Sequence, residues 1–253
     1  MRLLFKPRDG KYLGSGELPF GNYEDTSRWE PITNSLEKGA VQFPSKAMFR
    51  VGDPDGNIVE SYTYRETNEW ANRVSNGLIK DYGVSKGTKV GMYMLNSSQY
   101  VVSIIAIHKA GAVQVPINKD EKGERLAYVI NYSDMKVLII DEGSVPFIQD
   151  IAADLQNLEV IFVTSENVPE RIGNIKALPF SAFNNYDSSN PNIPVSVDDM
   201  ERCMFTSGTT GMPKGVARDH GGVVMTVRSY LQQQGVRSED TLMYKMFFLV
   251  DPK

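Results

Sequence analysis

Lys89-Val90-Gly91-Met92-Tyr93-Met94, then Ser97 to Lys109, then Ala112-Val113-Gln114-Val115-Pro116-Ile117 follow one another with only short breaks between them. The first and third runs are short and largely apolar, as strands buried on both faces are, and the middle run has the length of a helix. A strand, a helix and a second strand joined this closely make a parallel pair. The rhythm continues with a helix over Lys122 to Tyr132, a strand over Val137 to Asp141, a helix over Val145 to Leu155 and a strand over Val160 to Thr164. An α/β fold follows, with a mostly parallel sheet flanked by helices.

Outward from this centre the pattern changes. Up to about Pro44 the chain is rich in Gly, Pro, Asn and charge, with a short helix expected over Thr33 to Lys38 that stops at Gly39; it reads as an arm laid over a core. Ala47 to Val51, a turn from Gly52 to Asn57, and Ile58 to Tyr64 predict a β-hairpin. Thr63 is placed to cap a helix with Trp70, Val74, Leu78 and Ile79 on one face, ending before Gly83. Ser165 to Asp199 carries Pro169, Pro179, Pro191 and Pro194 and reads as a connection. A strand over Arg202 to Phe205, a helix over His220 to Gln234 ending at Gly235, and a strand over Thr241 to Val250 complete the chain. Residues 1–46 are thus expected to form an N-terminal arm, 47–199 a first α/β subdomain, and 200–253 the truncated start of a second.

Composition narrows the function. The 253 residues are 41% apolar, enough for a substantial core, and the net charge of -4 with no basic block argues against a nucleic-acid surface. The opening Met1 to Lys6 has no secretory core, and the apolar run Val101 to Ile107 is too short to span a membrane. Cys203 is the only cysteine, which excludes an intrachain disulfide and a cysteine-rich metal site and fits a cytoplasmic protein. In its apolar strand it reads as an inert core thiol.

The chemistry concentrates in Thr206-Ser207-Gly208-Thr209-Thr210-Gly211-Met212-Pro213-Lys214-Gly215, directly after Cys203-Met204-Phe205. Three glycines let backbone N–H groups turn toward one centre, the hydroxyls add donors, and Lys214 supplies a point charge for phosphate oxygens. It is not a Walker loop, because no Gly-Lys-Ser/Thr stands at the required spacing. A plain Gly/Thr turn is the ordinary alternative, but it needs neither the long hydroxyl run nor Pro213-Lys214-Gly215.

This run resembles the phosphate loop of the adenylate-forming enzymes, the superfamily of acyl-CoA synthetases and peptide-synthetase adenylation domains. Tyr62-Thr63-Tyr64-Arg65-Glu66 is similar to that superfamily's entry to its first helix, and His108-Lys109-Ala110-Gly111-Ala112-Val113-Gln114-Val115-Pro116-Ile117 to one of its strands. Arg125 and Val137-Leu138-Ile139-Ile140-Asp141 sit where it has a helix and the next strand. The resemblance covers most of the chain from about Phe49 and implies the N-terminal part of that superfamily's large domain, most like an acyl-CoA synthetase.

It implies ATP with magnesium, a carboxylic acid and CoA as reactants, giving an acyl-adenylate and then a thioester. The nucleotide would be held by Thr206, Ser207, Gly208, Thr209, Thr210, Gly211 and Lys214. No catalytic set is complete and no metal ligand is identified, so the fragment alone is expected to be inactive. A nucleotide-binding module without ligase turnover is the alternative, and the acid stays open. His220 reads as a helix-start histidine satisfied locally rather than a group orienting the loop, and His108 as a surface or boundary residue. Two features depart from the superfamily: Gly221-Gly222 stand where an Asn is common, and Met246-Phe247-Phe248-Leu249-Val250 lacks the usual proline and histidine.

Overall fold

The computed structural model describes residues 30–53, 55–206 and 211–234. In chain order the helices are α1 (Ile32–Gln42), α2 (Tyr64–Tyr82), α3 (Ser98–Lys109), α4 (Gly123–Tyr132), α5 (Val145–Ile151) and α6 (His220–Gln234). The strands are β1 (Ala47–Gly52), β2 (Ile58–Thr63), β3 (Lys89–Tyr93), β4 (Val113–Pro116), β5 (Val137–Ile140), β6 (Val160–Val163), β7 (Arg171–Ile172), β8 (Ile175–Pro179), β9 (Met200–Thr206) and β10 (Lys214–Asp219). β1 and β2 form the expected antiparallel hairpin. The rest make one sheet in the order β10-β9-β4-β3-β5-β6-β8-β7.

The three strands read first in the sequence are its middle. β3 pairs in parallel with β4 on one side and β5 on the other, and β5 continues in parallel to β6. Alternate residues face opposite sides, so each central strand feeds two cores. Val90, Met92, Val137, Ile139, Val160 and Phe162 pack under α2 and α3. Tyr93, Leu138, Ile140, Ile161 and Val163 pack under α4 and α5. Gly91 marks the tightest point of the second face: a Cβ there would lie 2.3 Å from Met135 Sδ and 2.7 Å from Leu138 Cδ1. Gly91→Ala is therefore expected to cost about 1–3 kcal/mol by overpacking, read by urea unfolding. A neutral result would mean that Met135 moves aside freely.

Thr63 caps α2 as the sequence predicts. Its hydroxyl accepts from the Glu66 N–H, while Glu66 Oε2 accepts from the Thr63 N–H at 2.8 Å, a reciprocal capping box. Gly83 ends the helix at φ 61°, a conformation glycine adopts without a Cβ penalty.

Three readings need correction. α1 runs through Gly39 instead of stopping there, because Gly39 provides close approach: a Cβ would stand 2.6 Å from the Tyr64 ring. α5 ends at Ile151, and a 3-10 turn takes over through Asp154. Residues 165–199 are more than a connection. They contribute β7 and β8 to the sheet and a 3-10 turn, Phe180–Asn185, that buries Phe180 and Phe183 in the first core. The polar stretch that follows is stitched to α2 by side-chain amides spaced one turn apart. Asn68 and Asn72 donate to Asn190 Oδ1 at 3.2 and 2.8 Å, and Asn76 donates to the carbonyls of Asp187 and Ser189 at 2.7 and 2.9 Å. The strand expected over Thr241 to Val250, the helix end at Gly235 and the first 29 residues lie outside the described residues.

Candidate functional site

β9 and β10 pair antiparallel, from Lys214 opposite Thr206 down to Asp219 opposite Met200. The two ends of the Gly/Thr run thus stand opposite each other on a β-hairpin. The sequence predicts no strand between this run and the helix at His220. Instead Lys214 to Asp219 form a strand first, because Val216 to Arg218 can complete a ladder with Arg202 to Met204 before α6 begins.

Of the candidate nucleotide ligands, Thr206 and Lys214 close the hairpin: their Cα positions are partners, and Thr206 Oγ1 approaches the Lys214 carbonyl at 3.4 Å. Gly211 is exposed, and so is Lys214. Ser207, Gly208, Thr209 and Thr210 lie outside the described residues. The structure therefore juxtaposes the two ends of the run and leaves a cation beside them facing solvent.

The base of the hairpin is built of buried polar groups that the sequence reading did not connect. His108, expected at the surface or a boundary, is buried on α3, and its ring meets that of His220 edge to face with centroids 5.2 Å apart. These are the chain's two histidines. His108 Nε2 stands 3.2 Å from Glu201 Oε1, but without hydrogen-bond geometry, so that nitrogen has no hydrogen-bond partner among the described residues. Glu201 is itself buried on β9, and its other oxygen accepts from Arg202 Nε.

Burial pushes His108 down to about 3, reinforced by the nearby His220 and Arg202 and opposed by the Glu201 backbone. His220 is also lowered by burial, against the pull of Asp199 and Asp219. Both rings are therefore neutral near pH 7. His220 opens α6 with its backbone N–H donating to the Asp199 carbonyl at 3.0 Å, as a helix-start histidine should, while Asp219 Oδ1 accepts from the Gly222 N–H at 2.6 Å. The Gly221-Gly222 departure lies here: a Cβ on Gly222 would come within 3.2 Å of that Asp219 oxygen.

A second polar cluster lies at the carboxyl ends of β3 and β5. Lys119 Nζ bridges both Asp141 oxygens at 2.8 and 3.0 Å, and Lys122 Nζ donates to the Tyr93 hydroxyl at 2.6 Å. Burial opposes the charge on Asp141, but Lys119, Ser144 and the Leu95 N–H together hold its carboxyl below the usual range. Among the described residues no group of three or more His, Cys, Asp or Glu is placed to hold a metal ion. None of their helices is long and apolar enough to cross a membrane.

Comparison with known proteins places this architecture. The family model described as AMP-binding enzyme matches residues 36–249. Crotonobetaine/carnitine--CoA ligase of a Proteus species is 31% identical over 184 residues, 72% of this chain and 35% of the ligase. N-(5-amino-5-carboxypentanoyl)-L-cysteinyl-D-valine synthase of Penicillium rubens is 31% identical over 71% of this chain, which spans 4% of that synthase. Among solved structures, the anthranilate CoA ligase AuaEII in complex with anthranoyl-AMP superposes with a TM-score of 0.70 at 28% identity, over 82% of this chain and 38% of its own. The chain thus spans well under half the length of these relatives.

Proposed function

The chain belongs to the AMP-binding enzyme family, and from that premise we propose that it supplies the triphosphate-holding part of an acid-thiol ligase. In this reading a carboxylate oxygen bonds to the α phosphorus of ATP and the bond to the β-phosphate oxygen breaks. Pyrophosphate leaves, and the thiol of CoA then displaces AMP from the acyl carbon. The observation that carries it is the hairpin that brings Thr206 and Lys214 together at the two ends of the Gly/Thr run.

The chemistry asks mainly for positioning and charge stabilisation. Ser207, Thr209, Thr210 and the neighbouring N–H groups would donate to the β and γ phosphates, and Lys214 would offset the charge that develops as pyrophosphate leaves. Magnesium would enter as the companion of ATP, as the family resemblance implies. The boundary near residues 199 and 200 is proposed on the same footing, because β9 meets β4 through one ladder pair, Gln114 with Arg202. A cytoplasmic location is proposed from the single free thiol, half-buried at Cys203.

Titration of ATP and inorganic pyrophosphate against the 253-residue chain tests the reading. Lys214→Ala is expected to weaken binding by about 1.5–3 kcal/mol, about tenfold or more, the worth of a hydrogen bond to a charged group. Cys203→Ala, on the strand away from the donors, should bind as the unaltered chain does. Equal affinities with and without Lys214 would remove the loop from the site. Acid-dependent ATP–pyrophosphate exchange with fatty, aromatic and short-chain acids separates turnover from binding alone.

A further inference from the structure

The hairpin that carries the phosphate loop joins the sheet through a short ladder. β3 pairs with β4 and with β5 at four positions each, whereas β4 pairs with β9 at one, Gln114 with Arg202. Beyond that point one face of the hairpin is exposed, at Met204 and Thr206 on β9 and Lys214 to Ala217 on β10, while Cys203 and Phe205 pack against the second core and the Phe205 ring meets that of Tyr132 at 6.1 Å. A single ladder pair fixes fewer backbone hydrogen bonds than a run of paired residues, so the seating of β9 on β4 depends on side-chain contacts as well. At about 3.3 Å per residue, Thr206 lies about 13 Å from Arg202, so a tilt of about 10° there would displace the loop's first residue by roughly 2 Å. Misplacements of that order cost a positioned site about 100-fold or more.

We propose that the buried contact of His108 with Glu201 and His220 is the clamp that sets how this hairpin sits on the sheet, which makes His108 and Glu201 positioning residues for the loop at its tip. Glu201 is the neighbour of Arg202, the ladder partner of Gln114, and His220 begins the helix that leaves the hairpin's other strand. α3, which presents His108, is anchored under the sheet through Val102, Ala106 and Ile107. The three side chains therefore tie α3 to β9 and to the helix that follows β10. The ion pair at this end, Lys86 to Asp199 at 2.7 Å, has a lysine side chain 50% exposed, and exposed pairs hold geometry weakly. Burying two imidazoles and a carboxylate costs stability that an apolar trio would not, so a role in geometry explains their presence better than one in packing.

This inference rests on the loop's binding a triphosphate, and the experiment separates the two. Inorganic pyrophosphate is titrated against the 253-residue chain and its His108→Leu, His108→Gln, Glu201→Gln and Lys214→Ala variants, with hydrogen–deuterium exchange of the same proteins. His108→Leu keeps the volume and is expected to weaken binding about tenfold, with faster exchange in β9 and β10 and none in β5 and β6. His108→Gln, whose amide nitrogen reaches about as far as Nε2, should restore most of the affinity, which a purely structural role would not require. Glu201→Gln keeps the shape, removes the charge facing Arg202 and His108, and should weaken binding about threefold or more; it carries the same comparison if His108→Leu fails to fold. Weakened binding in Lys214→Ala but unchanged affinity in His108→Leu and Glu201→Gln would overturn the clamp and leave the loop reading standing. Failure of the unaltered chain to bind pyrophosphate would overturn the loop reading, and the clamp's role with it.

Discussion

Phe183→Ala is expected to destabilise the chain by about 3–5 kcal/mol, the range for deleting a buried aromatic ring. Phe183 is fully buried, with Phe162 4.2 Å away between ring centroids, Phe180 at 5.4 Å, Tyr186 at 6.2 Å and Tyr82 at 6.4 Å. The backbone of α2 also closes on it, since a Cβ on Gly77 would lie 2.7 Å from Phe183 Cδ1. A ring held by a helix, a strand and its own turn leaves a cavity when removed, because none of the three can collapse independently. Urea unfolding measures the loss, with Val41→Ala as the reference: Val41 is 82% exposed and should change stability by less than about 0.5 kcal/mol. A loss below about 1 kcal/mol for Phe183→Ala would mean that residues 180–185 are not part of the cooperative core.

Stability is expected to fall as pH drops below about 6.5. In the unfolded chain each imidazole takes up a proton near pH 6.5, whereas burial pushes His108 down to about 3 in the fold and lowers His220 as well. Between those values the unfolded state binds more protons, so acid favours unfolding. Each such histidine contributes a slope approaching about 1.4 kcal/mol per pH unit, and His108 alone roughly 2–3 kcal/mol between about pH 6.5 and 4.5. Its contribution is fully present above about pH 6.5. The groups facing it, Glu201, Arg202 and His220, do not reverse this sign, because Arg202 and His220 both disfavour a further positive charge there. Unfolding free energies at about pH 7, 5.5 and 4.5 should show the decline, and His108→Leu should flatten it. An unchanged slope in His108→Leu would show that His108 takes up its proton without unfolding.

The sequence by itself determined the centre of the sheet, the capped helix α2 and the Gly/Thr motif between β9 and β10. Those signals are local: a run such as Val137-Leu138-Ile139-Ile140 has nowhere to go but between two apolar layers, and Thr63 finds its partner Glu66 three residues away. Only the tertiary structure decided what depends on distant partners. Gly39 reads as a helix stop until Tyr64 is seen against it, and the proline-rich segment reads as linker until Phe183 is seen to fill space beside Phe162. Lys214 to Asp219 become a strand because Met200 to Thr206 offer a free edge, which no local propensity in that run announces. His108 could not be assigned from its own neighbourhood, since its contacts Glu201 and His220 lie 93 and 112 residues further along the chain and meet it only once β9 is laid beside β4.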